Sequence, residues 1–377
     1  MQRQSKRKLP IFGLSNMGNT CFFNSSLQCI LACPSFIDNL NDNQDRFRSG
    51  SLLKDILELG VQDKTSPRNV FKHLIRKNRV YGHYNQQDSH EAFINLLDIM
   101  ENEIKQLKKG KAFQFDFESF LIYQIYCFNC ELSELLFEDN TNLMLEIERN
   151  AEDYPKLLEK VSAKKMKNKR VVGTNYVQLN NSTVKEHRNV VNSGFNSRKD
   201  HLFENISRFE GYSMIKQEKP TKLEKMLDNF FDYEFYSNKE HGFKCEQCMK
   251  RSTYAFKKYY MFKHPQTLVL CVKKFAKSKG SFWGSGWKKS SVNVTYPEYL
   301  DLSNHSLVKT IESADKNARY RLIGVVNHSG GLGGGHYTCY VRKNGDWYYI
   351  SDSYYKSSTL NSALNADAYL VFYEKLY

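Results

Sequence analysis

The chain has 377 residues, 41% of them hydrophobic and 14% aromatic, enough apolar surface for a folded body with a sizeable core. A formal charge of +14 raises nucleic-acid binding as a function class. The basic residues, however, fall in short clusters ("SKRKLP", "KKMKNKR", "VKKFAKSKG") with no helix-turn-helix or base-stacking motif beside them, so solvated basic faces and no nucleic-acid partner are expected.

The basic start "MQRQSKRKLPIFG" is followed by no apolar h-region, and no run approaches the roughly 20 apolar residues that cross a bilayer. An intracellular protein, cytoplasmic or nuclear, is the expectation, with nine cysteines kept reduced for metal or catalytic roles. "CFFNSSLQCILAC" reads as a helix stopped by Pro34. "SLLKDILELG" follows as a short amphipathic helix closed by Gly60. In "QQDSHEAFINLLDIMENEIKQL" the positions of Phe93, Leu96, Leu97, Met100, Ile104 and Leu107 share one helical arc, which predicts the longest helix. From residue 113, "FQFDFESFLIYQIYCFNC" alternates like a strand. Residues 149–220 are polar, basic and weakly periodic, as expected of an insertion. Strand character resumes in "YEFYSNKEHGFKCEQCMKRSTYAFKKYYMF" and "TLVLCVKKF", and the C-terminal part reads as a β-meander with an Asn344-Gly345 hairpin turn. No internal repeat is visible.

Two motifs carry chemistry on their own. Cys127, Cys130, Cys245 and Cys248 form two CxxC pairs in strand-like sequence, the donor set of one closed tetrahedral structural zinc site. Cys21 follows Thr20, a good N-cap residue, so the thiol would open a helix whose unpaired N–H groups and dipole favour the thiolate. Cys29 and Cys33 lie deeper in the same run and read as packing residues. A base for Cys21 is available in His336, behind a glycine-rich loop whose absent side chains allow another backbone to approach closely. His328, before that loop, reads as structural.

These segments resemble the ubiquitin-specific proteases. "GLSNMGNTCFFNSSLQ" and "GGHYTCYVRKNGDWYYISD" resemble the family's cysteine and histidine boxes, "NQQDSHEAF" its short acidic box, and the CxxC pairs its zinc ribbon. The match spans residues 9–110, 118–135, 240–276 and 320–376, in the family's order. It implies an α+β, papain-like cysteine protease core: a helical thumb (9–110), zinc-ribbon β fingers (113–262, interrupted by the insertion) and a β-rich palm (263–377). It implies Cys21 as nucleophile, His336 as base and Asn16 as oxyanion donor. Asp88, Glu91 and Gly335 would bind the substrate, with the two carboxylates holding arginines of the ubiquitin tail. Their helical phase, opposite the apolar arc, agrees.

The chain departs from the family at Phe22, at "VKKF", and in the third triad position, where Ser351 stands with Asp352 next. Hairpin parity about Asn344-Gly345 puts Ser351 on the face of His336 and turns Asp352 away, whereas an odd-length loop would restore Asp352; Ser353 would face His336 directly. The reading is a deubiquitinating thiol protease with ubiquitin and its conjugates as partners, one structural zinc and no catalytic cofactor. The competing readings are a weak or inactive ubiquitin-binding protein and a protease for a ubiquitin-like modifier.

Overall fold

The structure is a computed structural model that describes residues 8–61, 65–83, 85–107, 113–127, 132–147, 222–232, 234–237, 243–245, 249, 251–252, 254–277, 287–306, 317–331 and 334–376. The expected insertion at 149–220 lies outside them. So do Cys130 and Cys248.

Five helices come first: α1 (Cys21–Ile30), α2 (Pro34–Asp42), α3 (Leu52–Val61), α4 (Arg68–Lys77) and α5 (Ser89–Lys105). The periodic apolar arc of α5 forms over most of its expected length: Phe93, Leu96, Leu97 and Met100 are buried and Ile104 is half-buried, but the helix ends at Lys105 and Leu107 lies beyond it. Pro34 does more than stop a helix. It is the first residue of α2, where a missing N–H costs nothing because that donor has no intrahelical acceptor. Likewise α3 runs one residue past Gly60, whose missing side chain lets Leu31 approach: a Cβ there would sit 3.1 Å from the Leu31 Cδ2.

Residues 113–118 are not a strand. Phe115 and Phe117 are buried among the helices, and Phe117 makes edge-on ring contacts with Phe36 and Phe93. Strand β1 (Ser119–Cys127) begins only where the chain leaves that cluster. With β2 (Leu132–Asn140), β4 (Glu234–Ser237) and β7 (Tyr254–Lys263) it makes an antiparallel sheet in the order β2-β1-β7-β4.

The larger sheet has eight strands: β3 (Leu143–Glu146), β8 (Thr267–Lys273), β11 (Tyr299–Asp301), β12 (Arg319–Gly331), β13 (Gly334–Lys343), β14 (Asp346–Ser351), β15 (Tyr354–Ser358) and β16 (Ala368–Lys375). Its order is β15-β14-β13-β12-β16-β8-β3, with β11 paired to β12. Beside it, β9 (Phe275–Lys277) and β10 (Trp287–Lys289) pair with each other. Strands β12 to β15 form the expected meander. β16 departs from it, returning after a short helix α7 (Leu360–Leu364) to lie between β12 and β8.

Side-chain alternation gives the large sheet two covered faces. Val269, Cys271, Leu370 and Phe372 join the cluster beneath the helices. Leu268, Leu270, Val272, Val371 and Tyr373 join a second cluster with helix α6 (Leu223–Phe231). At roughly 1.5–3 kcal/mol per buried large apolar side chain, this sandwich is what fixes α1 against β13. β3 and α6 lie within the stretch expected for the fingers, yet both pack with the second cluster of the large sheet.

Candidate functional site

α1 starts at Cys21 because the preceding turn uses conformations that end regular structure: Gly18 and Asn19 have φ of +104° and +52°. Thr20 occupies the N-cap position but does not cap with its side chain. Its Oγ1 accepts from the Met17 N–H (2.9 Å) and faces Asn16 Oδ1 (3.3 Å). Cys21 is 1% exposed. Burial pushes its thiol above the ordinary range, the negative charge of Asp352 adds to the rise, and hydrogen bonds from the backbone at Tyr337 and at the helix start oppose it. The helix start therefore does not by itself yield a resting thiolate, contrary to the expectation from position alone: desolvation wins.

The backbone of Tyr337 against Cys21 belongs to β13, one residue beyond His336. His336 Nε2 lies 2.8 Å from Ser351 Oγ. The register that brings them together runs through Arg342↔Trp347 and Cys339↔Ile350 across a two-residue Asn344-Gly345 turn. With Nε2 directed to the serine hydroxyl, Nδ1 is the nitrogen left for the cysteine.

Asp352 points elsewhere. It is in the two-residue turn between β14 and β15, with φ of +50°, a conformation that aspartate tolerates better than most residues. Its carboxylate accepts from Asn16 Nδ2 (2.9 Å) and from Asn24 Nδ2 (2.8 Å), the latter on α1 one turn after Cys21. Asn16 Oδ1 in turn accepts the N–H groups of Gly18 (2.9 Å) and Thr20 (3.1 Å). These two acceptances fix which end of the amide faces Asp352. Asn16 is thus a turn residue and an oriented amide donor at once. Ser353 shares the turn with Asp352 and sets its backbone against Gly13, where an added Cβ would lie 2.2 Å from the Ser353 carbonyl oxygen.

Gly335 is equally constrained: a Cβ would meet His328 Nε2 at 2.2 Å and Ser329 O at 2.5 Å. His328 is buried in β12, packed edge-on to Phe275, and its pKa falls to about 4, through burial first and the charge of Lys289 second. It is a neutral packing residue under the glycine hairpin.

Asp88 is the N-cap of α5. Oδ1 accepts from His90 N (2.7 Å) and Glu91 N (3.0 Å), and Oδ2 accepts from the Tyr369 hydroxyl (2.5 Å). An N-cap has non-helical dihedrals, so the helical-phase argument for Asp88 does not hold; it does for Glu91, which is exposed. Sequence reasoning missed three residues. Gln86 donates to the Gly335 carbonyl (2.7 Å) and lies 4.0 Å from Cys21 Sγ, while Asn24 and Tyr369 hold the two aspartates. Gln86 stands inside the short acidic box and Asn24 inside the cysteine box, positions that signal a role near the site; Tyr369 carries no sequence signal.

Cys127 closes β1 and Cys245 follows β5 (Phe243–Lys244); both are buried. The topology brings them toward one end of the four-stranded sheet. Cys127 pairs with Ala255 at the start of β7, and β5 pairs with β6 (Arg251–Ser252), which leads into β7. Buried cysteine sulfurs such as those of Cys127 and Cys245 suit a soft, tetrahedral ion such as zinc. Among the described residues, no helix is long and apolar enough to cross a membrane.

Comparison with known proteins bears on the whole of this arrangement. The family model described as "Ubiquitin carboxyl-terminal hydrolase" matches residues 12–373. Ubiquitin carboxyl-terminal hydrolase 42 of Homo sapiens is 24% identical over 96% of the chain and 22% of its own length. Ubiquitin carboxyl-terminal hydrolase 2 of Bos taurus is 26% identical over 98% of the chain and 56% of its own length. The chain therefore spans no more than about half of these relatives. Among solved structures, a SAGA DUB module of Ubp8, Sgf11, Sus1 and Sgf73 bound to monoubiquitin matches with a TM-score of 0.65 at 21% identity, covering 100% of this chain and 71% of that one. The same module bound to ubiquitin aldehyde matches at 0.63 and 20% identity. The mixed helix-and-sheet core therefore shares the fold of those structures, the papain-like α+β core.

Proposed function

Because the chain belongs to the ubiquitin carboxyl-terminal hydrolase family, we propose that it is a thiol-dependent deubiquitinase that hydrolyses the bond after the C-terminal glycine of ubiquitin. The observation that carries the reading is that His336 Nε2 lies 2.8 Å from Ser351 Oγ while the backbone of the next residue on β13, Tyr337, lies against the buried Cys21 thiol. His336 Nδ1 takes the Cys21 proton as Sγ attacks the glycine carbonyl carbon, and Ser351 Oγ accepts from the Nε2–H of the resulting imidazolium. A neutral third residue suffices, as the asparagine of papain-like proteases illustrates. The oxyanion is stabilised by the second N–H of Asn16 and by the backbone N–H at the start of α1. His336 then protonates the leaving amine, the C–N bond breaks, and a thioester remains. Water, deprotonated by His336, attacks that thioester and releases the ubiquitin carboxylate and the Cys21 thiol.

Glu91 and the remaining lone pairs of Asp88 would face the arginines of the ubiquitin tail, and Gly335 would let that tail pass close to β13. The five helices serve as thumb, the large sheet as palm and the four-stranded sheet as fingers. Cys127, Cys130, Cys245 and Cys248 would hold one structural zinc, which supplies folding energy to the fingers and leaves no coordination position for substrate. The test is turnover of a ubiquitin C-terminal amide. Cys21→Ala should abolish it while ubiquitin binding persists; turnover near that of the wild type in a clean Cys21→Ala preparation would refute the assignment.

A further inference from the structure

The segment that delivers Asn16 is tied down along its whole length, and its first ties lie at the opposite end of the β13–β14 hairpin from His336. Leu9 N donates to Asn344 Oδ1 (2.8 Å) and Asn344 Nδ2 donates back to Leu9 O (2.7 Å), a reciprocal pair at the hairpin tip. The neighbouring Lys343, only 1% exposed, donates through Nζ to Pro10 O (3.1 Å) and sits 5.1 Å from the centre of the Phe12 ring. Further along, Phe12 O accepts from Gln28 Nε2 (2.8 Å), and Gly13 lies flat on Ser353. Leu14 N then donates to Asp352 O (2.8 Å). Two residues later comes Asn16, on the carboxylate of that same Asp352.

The segment therefore follows β14 from its tip to its base. Leu9, Phe12 and Leu14 are buried along it. Burying a lysine ammonium is costly, and the hairpin does not need one there, since its reversal is made by Asn344 and Gly345 with φ of +55° and +101°. Lys343 and Asn344 both hold the chain leading to Asn16.

We infer that residues 9–14 form a brace that sets the Asn16 amide from the hairpin tip, making Lys343 and Asn344 positioning residues for the oxyanion donor. The inference rests on the proposed role of Asn16. It goes beyond a donor fixed by its neighbours: the contacts at Ser15, Gly18, Thr20 and Asp352 hold the amide locally, and a brace anchored at both ends of β14 sets the path of the preceding chain as well, confining the amide to the place where charge appears.

Two variants separate the brace from general stability. Asn344→Gly keeps the left-handed turn, which glycine adopts freely, and removes only the reciprocal pair with Leu9. Lys343→Met keeps the buried stem and removes the donor to Pro10. The measurements are kcat and KM on a ubiquitin aminocoumarin amide, affinity for ubiquitin aldehyde, whose adduct with Cys21 is tetrahedral like the transition state, and the melting temperature. We expect kcat to fall about 3- to 10-fold for Asn344→Gly and about 10- to 100-fold for Lys343→Met, with KM within about twofold. Ubiquitin aldehyde should weaken by the same factor as kcat/KM, and neither variant should lose more on an Asn16→Ala background. If Asn16→Ala lowers kcat while a folded Asn344→Gly enzyme keeps full kcat and aldehyde affinity, the brace is refuted and the oxyanion reading stands. If Asn16→Ala keeps full kcat, the oxyanion reading falls and the brace with it. Should Lys343→Met fail to fold, Asn344→Gly decides alone.

Discussion

Replacing Asp352 by alanine tests how the two acidic-turn neighbours divide their work. In the structure the carboxylate touches Asn16 and Asn24, and His336 is held by Ser351. Hydrogen bonds to a charged group contribute about 1.5–3 kcal/mol each. Losing the contact to Asn16 frees the proposed oxyanion donor, and outright removal of such a donor costs about 10²–10³ in kcat. A loosened donor should cost a fraction of that, about 10- to 100-fold. Ser351→Ala removes one acceptor from an imidazolium, and the same range of 1.5–3 kcal/mol gives a loss of about 10- to 150-fold. The two rates alone do not distinguish the roles, so the assay is a double-mutant cycle with Asn16→Ala and a pH profile. Asp352→Ala should add almost nothing to Asn16→Ala, whereas Ser351→Ala should multiply with it. The sign of the thiol shift gives a second readout: the charge of Asp352 raises the Cys21 pKa, so removing it should move alkylation of Cys21 to lower pH. Full additivity of Asp352→Ala with Asn16→Ala, together with a changed histidine limb in the pH profile, would make Asp352 the partner of His336 and refute the reasoning.

Gly335→Ala should cost about 10²-fold or more in kcat/KM, because its Cβ would collide with His328 Nε2 at 2.2 Å and the hairpin bearing His336 must shift; wild-type kinetics would show that the hairpin yields at no cost. Elemental analysis of fresh protein should find one zinc per chain, and chelation should loosen the four-stranded sheet before the thumb and palm, as read by hydrogen exchange; protein purified without zinc counts against the four-cysteine site. Glu374 is pushed up to about 7, first by burial and then by the charge of Asp116, with the Ser35 N–H opposing. A carboxyl whose folded pKa exceeds its unfolded one holds its proton longer when folded, so stability should decline as pH rises from about 4.5 to 7 and stay lower above it. Glu374→Gln should flatten that decline, by up to about 3 kcal/mol at pH 8 in denaturant melts; an unchanged pH dependence would mean that the group is charged in the folded protein at little cost.

What was legible in the sequence was local. The 3.6-residue pattern of α5 and the Asn-Gly turn each specify their own element, because burial and φ constraints act within a few residues. Reading failed where tertiary contact decided. The alternating phenylalanines of 113–117 match a strand, but Phe115 and Phe117 gain more by burial among the helices than by pairing. Helical phase, which agrees with the resemblance at Glu91, does not apply to Asp88, because it caps the helix and so lies outside its periodicity. Thr20 sits where a cap should be, yet its hydroxyl is taken by Met17 and Asn16. Parity along β14 was informative for Ser351, which is in the strand. It also turns Asp352 away from His336, but that Asp352 then meets Asn16 and Asn24 is set by the turn and not by parity. The ties from Leu9 to Asn344 and from Asn16 to Asp352 join residues more than 300 apart, and polar contacts of that kind leave no periodicity to read.

The central claim is that Cys21 is the nucleophile of a site that reads the ubiquitin C-terminus. Incubation with ubiquitin carrying a C-terminal electrophile, followed by peptide mapping, tests it most directly. The account expects a single adduct on Cys21, absent from Cys21→Ala and slowed by Asn16→Ala. No adduct under native conditions, or one on another cysteine that survives Cys21→Ala, would contradict it.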